Sequence, residues 1–123
     1  PSYNHSAYIE ETVISVIDQD YEGMIEIIIV DDCSTDNTYQ IAKKIAESDS
    51  RILLLKNEKN SKIVKTLNYG LEFATGDFIA RMDGDDISSP ERLEKQLKFL
   101  LENPEYKNLY QLLTQSIQHV KKL

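Results

Sequence analysis

The stretch "MIEIIIVDD", residues 24–32, decides the fold. Its first seven residues form a β-branched, almost wholly apolar run too short for a helix, which suits a strand buried on both faces. Two aspartates, Asp31 and Asp32, follow without a break. A strand covered on both sides belongs in a parallel sheet, and parallel strands need crossover helices.

Both flanks supply them. Before the strand, residues 7–18 place Ile9, Val13, Val16 and Ile17 on one helical face, with Ser6 as the expected cap. After it, the polar loop "DDCSTDNT" leads into "YQIAKKIAE", a helix expected to pack through Ile41, Ala42 and Ile45. A second strand, "RILLL" (51–55), a polar loop and a helix over about 62–74 follow, the helix with Val64, Leu67, Leu71 and Ala74 facing inward. Gly76-Asp77 reads as a turn, "FIARM" (78–82) as a third strand, and "SSPERLEKQLKFLLEN" as a helix begun by Ser88 or Ser89 ahead of Pro90. Its apolar face would be Leu93, Leu97, Leu100 and Leu101. The order α-β-α-β-α-β-α predicts an α/β fold: a mostly parallel, Rossmann-like sheet with helices on both faces. Residues 1–104 form one α/β domain in this reading. Residues 105–123 add an amphipathic helix through Leu109, Leu112, Leu113, Ile117 and Val120.

The totals narrow the function. A net charge of −7, from 21 acidic and 14 basic residues, argues against a nucleic-acid binder, which works by neutralising phosphates. Cys33 is the only cysteine, so neither an internal disulfide nor a cysteine zinc site can form. No apolar run is long enough to span a membrane.

In an open α/β sheet, ligands bind beyond the carboxyl ends of the strands, and both acidic clusters fall there. One is Asp31 and Asp32. The other is "RMDGDD" (81–86), with Asp83, Asp85 and Asp86. Two carboxylates roughly 5 Å apart repel by about 3 kcal/mol at an effective dielectric of about 20. Solvent, a retained proton or a cation can relieve that. Gly84 favours a cation site, because a residue without Cβ permits a tight turn and close backbone approach to a ligand. Carboxylate oxygens suit a hard ion, Mg²⁺ or Mn²⁺, that keeps positions for phosphate oxygens. Asp36 and Asp77 read as ordinary loop or capping residues.

Taken together, "PSYN" with "YIEETVISVIDQDY", then "EIIIVDDCSTDNT", then "LNYGLEFATGDFIARMDGDDISSPERLEKQ", resemble the family 2 glycosyltransferases, inverting enzymes with the A-type glycosyltransferase fold. The resemblance covers residues 1 to about 104. It implies a donor-binding half that holds a nucleoside-diphosphate sugar, a UDP-sugar by preference, through a DxD motif and its metal. By position, Tyr3 would stack on the base, Asp32 would meet the base ring N–H, and Asp31 would lie near the nucleoside. Asp83 would reach ribose and metal, Asp85 the metal, and Asp86 would be a further ligand. Lys65 would approach the diphosphate, with Asn68 on the same segment. His5 and His119 are read as structural or exposed, and Cys33 as filling a position the family often gives to glycine.

The implied chemistry is metal-assisted, in-line transfer of sugar to an acceptor hydroxyl, on a saccharide or a lipid-linked acceptor, with inversion. The family's first strand would precede Pro1, and its base and acceptor site would follow the DxD helix. The catalytic base is therefore unassigned, and the expectation is a chain that binds donor but does not transfer sugar alone. An incomplete sheet edge also allows homo-oligomers. The cytoplasm, at or near the inner face of a membrane, is the expected location. Three other readings compete: a phosphoacceptor receiver domain, a calcium loop and a non-catalytic nucleotide-binding module. The receiver domain would carry later strands with a hydroxyl residue and a lysine, and nothing after Asp86 reads as a strand. "DGDD" lacks the alternate ligands of a calcium loop.

Overall fold

The computed structural model describes residues 1–106. It contains α1 (Ile9–Ile17), β1 (Ile27–Asp31), α2 (Thr38–Ala46), β2 (Ile52–Lys56), α3 (Lys62–Phe73) and α4 (Arg92–Glu102). β1 and β2 pair in parallel, from Ile27 opposite Ile52 to Asp31 opposite Lys56. This is the expected α/β architecture, an open parallel sheet with helices on both faces.

The side-chain alternation of β1 explains the two layers. Ile27 and Ile29 turn to one face, where they close a core with Ile9 and Val13 of α1 and Ala42 of α2. Val16, Ile17, Ile41, Ile45, Ile52 and Leu54 pack around them, so the expected inner faces of α1 and α2 hold. Each large aliphatic side chain buried there contributes about 1.5–3 kcal/mol. Ile28 and Val30 turn to the opposite face and meet α3. A Cβ on Gly70 would lie 3.0 Å from the Val30 Cγ2 and 3.6 Å from that of Ile28, so this glycine lets helix and strand approach closely.

That approach corrects the expected inner face of α3. Its buried residues are Thr66 and Gly70, whereas Val64 is 47% exposed. The helix rolls toward its smallest residues because they allow the shortest distance to the sheet. Two caps also differ. Tyr8, not Ser6, precedes α1, and the Ser6 N–H is held by Asp36 Oδ2 at 3.1 Å. Glu91, rather than Ser88 or Ser89, precedes α4.

The expected third strand is absent: residues 78–82 join no sheet. A strand needs a ladder partner, and among the described residues the free edge of β1 is met by a single residue. Ser2 donates its N–H to the Val30 carbonyl (2.9 Å) and accepts from the Asp32 N–H (2.8 Å), a one-residue parallel bridge. Residues 78–82 thus lack a neighbouring strand to extend. α4 carries no fully buried residue: Leu93, Leu97 and Leu100 are half-buried and Leu101 is exposed. The helix expected over 105–123 lies, beyond Tyr106, outside the described residues. Among the described residues no helix is long and apolar enough to cross a membrane.

Candidate donor-binding site

A cleft of about 260 Å³ opens at the carboxyl end of β1. Pro1, Ser2, Tyr3, His5, Asp32, Ile63, Thr66, Asp83 and Asp85 line it. Four residues expected at the site, Tyr3, Asp32, Asp83 and Asp85, therefore converge from segments far apart in sequence.

One wall is a pair of interlocked loops. Asn4 takes a left-handed conformation (φ 55°) and binds the loop after β1 from both ends. Its backbone N–H donates to Ser34 Oγ (3.0 Å), its Nδ2 to Thr35 Oγ1 (3.2 Å), and its Oδ1 accepts from the Thr35 N–H (2.8 Å). The His5 N–H donates to Thr38 Oγ1 at 2.8 Å. Asp36 accepts from the N–H groups of Thr38 and Ser6, and the Thr38 hydroxyl leads the interactions that hold its carboxyl far below the ordinary range. Asp36 thus serves the loop just ahead of Asn37, the residue that precedes α2, within the loop-or-cap reading. Tyr3, 41% exposed, projects from this wall with its ring accessible. Cys33 also has positive φ (61°), which explains why glycine suits that position.

The second wall is built by Asp32. Its Oδ1 accepts from Asn57 Nδ2 (2.7 Å) and the Ser61 N–H (2.6 Å), and its Oδ2 from the Lys62 N–H (2.9 Å). Lys62 is left-handed (φ 66°), a turn that allows both amides at the start of α3 to reach one carboxylate. Burial pushes the Asp32 pKa up, but the bonds from Ser61, Asn57, Thr66 and Lys62 outweigh it and hold the group below its ordinary value. A carboxylate offers about four acceptor sites, so Asp32 retains little free capacity. Asp31 is fully buried behind this wall. Its Oδ2 accepts from the Ser34 N–H (3.1 Å), while Oδ1 has no partner.

The third wall is the acidic loop. Asp83 accepts two bonds from the Arg81 guanidinium (3.0 and 3.2 Å), and Asp85 Oδ2 lies 4.0 Å from His5 Nε2. Gly84 between them is buried but has no positive φ. A Cβ there would come 2.6 Å from both Ser2 Oγ and His5 Nδ1, so the glycine seats the loop against the first wall. Asp86 is exposed and outside the cleft lining. Lys65 is exposed on α3, also outside it. Asn68 is half-buried nearby in sequence, with its Oδ1 lacking a partner. Among the described residues, no three His, Cys, Asp or Glu side chains gather around a single metal position.

Sequence reasoning missed His5 and Thr66. His5 is not a bystander: it lines the cleft and bonds Ser2 Oγ (3.2 Å). Thr66, fully buried, accepts from Asn57 Nδ2 (3.0 Å) and donates to the Lys62 carbonyl (2.8 Å). The only sequence signal for either was nearness to expected site residues.

The pattern that defines Glycosyl transferase family 2 matches residues 1–116. The chain belongs to this family. As a family 2 chain it is 46% identical over 105 residues to EpsE of Bacillus subtilis, a match covering 85% of this chain and 37% of EpsE. The chain thus spans well under half the length of that relative. Among solved structures, Staphylococcus aureus TarS residues 1–349 in complex with UDP-GlcNAc superposes with a TM-score of 0.75 at 35% identity. That match covers 84% of this chain and 30% of TarS 1–349. The mannosyltransferase PcManGT of Pyrobaculum calidifontis, in complex with GDP-Man and Mn²⁺, gives 0.74 at 28% identity, over 80% of this chain and 30% of its own. Family membership replaces the receiver-domain and calcium-loop readings.

Proposed function

We propose that this chain is the donor-binding part of a glycosyltransferase and that the cleft holds the nucleoside diphosphate of a sugar donor. The observation that carries the reading is the convergence of Tyr3, Asp32, Asp83 and Asp85 on one cleft at the carboxyl end of a parallel strand. Tyr3 offers an aromatic face to the base. The remaining acceptor capacity of Asp32 suits one ring N–H. TarS with UDP-GlcNAc and PcManGT with GDP-Man support a nucleotide-sugar donor, and the closer identity to TarS favours uridine.

The donor set fits a hard divalent ion. Asp83 and Asp85 are both half-exposed oxygen ligands on the cleft, and ions of this kind take one or two carboxylates and complete their shell with phosphate and water. Asp83 and Asp85 would hold Mn²⁺ or Mg²⁺, with Arg81 giving up its bond to Asp83. Bound with the diphosphate, the ion would neutralise charge on the leaving phosphate. Asp86 could enter only as a more distant support of the loop, and Lys65 only if its exposed side chain swings to the diphosphate. Sugar transfer to an acceptor hydroxyl with inversion completes the reading. No residue of this chain is assigned as base.

Calorimetric titration of UDP, GDP and dTDP into the protein, with Mn²⁺ and again with EDTA, tests it. Metal-dependent binding of one nucleotide is expected, and UDP is expected to bind most tightly. A folded protein that binds none of them in either condition would refute the proposal.

A further inference from the structure

Beside the apolar face of α1 runs a polar stripe, Thr12 and the half-buried Ser15, which Gln19 continues just past the end of the helix. Thr12 is 5% and Gln19 8% exposed, with Ser15 between them at helical spacing. Each of the three is bonded to the segment that begins in the acidic loop. Thr12 Oγ1 donates to the carbonyl of Gly84, the residue between Asp83 and Asp85, at 3.1 Å. Ser15 Oγ accepts from the Ser88 N–H at 3.0 Å and donates to the Thr12 carbonyl at 2.7 Å. Gln19 uses both ends of its amide. Nε2 donates to the carbonyls of Ser89 (2.7 Å) and Ser15 (3.0 Å), and Oε1 accepts from the Leu93 N–H (3.1 Å) in the first turn of α4.

We infer that Thr12, Ser15 and Gln19 are positioning residues. They fix the acidic loop against α1 and so set where Asp83 and Asp85 stand in the cleft. The inference rests on the donor-binding reading of that cleft. Its physical ground is that residues 83–89 belong to no strand or helix, so ladder bonds do not hold this loop in place. Side-chain bonds from a rigid helix take over that task. Supporting shells of this kind commonly govern a site's affinity without touching its ligand. Arg92 adds a fourth tie, from its guanidinium to the Arg81 carbonyl at 2.7 Å.

Thr12→Val keeps the shape and removes the donor, Thr12→Ser restores a hydroxyl, and Gln19→Leu removes both amide ends. Two readouts are taken on each: amide hydrogen exchange of the nucleotide-free protein, and UDP affinity with Mn²⁺ and with EDTA. Thr12→Val and Gln19→Leu are expected to speed exchange at Ser88 and Leu93 by about tenfold, the effect of losing one buried hydrogen bond. Ile29 and Val30 of β1 are expected to stay at wild-type rates, and Thr12→Ser near wild type throughout. The tightening of UDP binding by Mn²⁺ is expected to shrink by a similar factor, with binding in EDTA unchanged. Unchanged exchange at Ser88 and Leu93, or equal acceleration in β1, would overturn the inference, the second by reducing the stripe to general packing. If wild type binds UDP without any effect of Mn²⁺, the metal reading of the cleft fails on its own, and the exchange rates still decide whether the stripe holds the loop.

Discussion

The two acidic clusters stand at one end of the same fold, yet they are used in opposite ways. Asp31 and Asp32 are 0% and 5% exposed, and Asp32 spends its oxygens on the amides of Ser61 and Lys62 and the side chain of Asn57. Asp83 and Asp85 have side chains 40% and 52% exposed, Asp83 bonded by Arg81 and Asp85 4.0 Å from His5. Asp32, backed by Asp31, is built into the cleft wall, whereas Asp83 and Asp85 keep exposed oxygens within the cleft. A carboxylate in this cleft can thus be tied into a wall or keep its oxygens open, and its hydrogen-bond partners, not its position in a motif, say which.

The comparison is most easily broken at Asp32. Asp32→Ala leaves two backbone amides and a side-chain amide without their acceptor, and a loss of about 3 kcal/mol in urea unfolding is expected. Asp85→Ala is expected to do the reverse: stability within about 0.5 kcal/mol of wild type, because the side chain is exposed and unburdened. The same variant is expected to lose metal-dependent UDP binding by at least about tenfold, the least that removing a metal's surroundings costs. If both variants lost stability equally, the division of labour would be gone. Gly84→Ala sharpens the contact between the two regions. Its new Cβ would collide with Ser2 and His5, for an expected cost of about 1–2 kcal/mol and weaker Mn²⁺-dependent binding.

Acid gives a milder version of the first test. The folded-state pKa of Asp32 lies below its ordinary value, so its stabilisation is complete above the unfolded-state value near 3.9. It is lost as pH falls through the folded-state value. Urea stability is expected to be flat in this contribution from pH 7 to about 5 and to fall below that. Asp36 shifts the same way and adds to the fall. Asp32→Asn should flatten the profile relative to wild type. The smallest expected effect is at Cys33. With φ at 61°, Cys33→Gly relieves a strained conformation at the cost of a freer unfolded chain. A net change within about 1 kcal/mol is expected by thermal melting.

Much of this was legible because local chemistry and tertiary environment agree. The β-branched run of β1 is buried on both faces as its composition demands. Helices α1 and α2 bury the apolar residues that recur at helical spacing, and the acidic clusters fall at the ligand end of the sheet. The failures share one cause, a partner that local sequence does not reveal. "FIARM" has the composition of a strand, but no neighbouring strand meets it within residues 1–106. Val64 has the right period for the inner face of α3, but Gly70 and Thr66 permit a closer approach to Ile28 and Val30. The stripe of Thr12, Ser15 and Gln19 looks like a solvated helix face until the acidic loop is laid across it. That Tyr3, Asp32, Asp83 and Asp85 meet in one cleft was foreshadowed by their places in the sequence. The near-saturation of Asp32 and the presence of His5 in the cleft were not, since both depend on loops 25 or more residues apart.

The most direct test of the account is to add UDP and then substoichiometric Mn²⁺ to isotopically labelled protein and record which amide signals the paramagnetic ion broadens. Broadening should be strongest at residues 83–86 and His5, weaker at Asp32, and absent from the far end of β1 at Ile27, with Asp85→Ala abolishing it. Strongest broadening at Asp31 and Asp32, or an equal response in Asp85→Ala, would contradict the proposal that the exposed pair, and not the buried one, holds the metal.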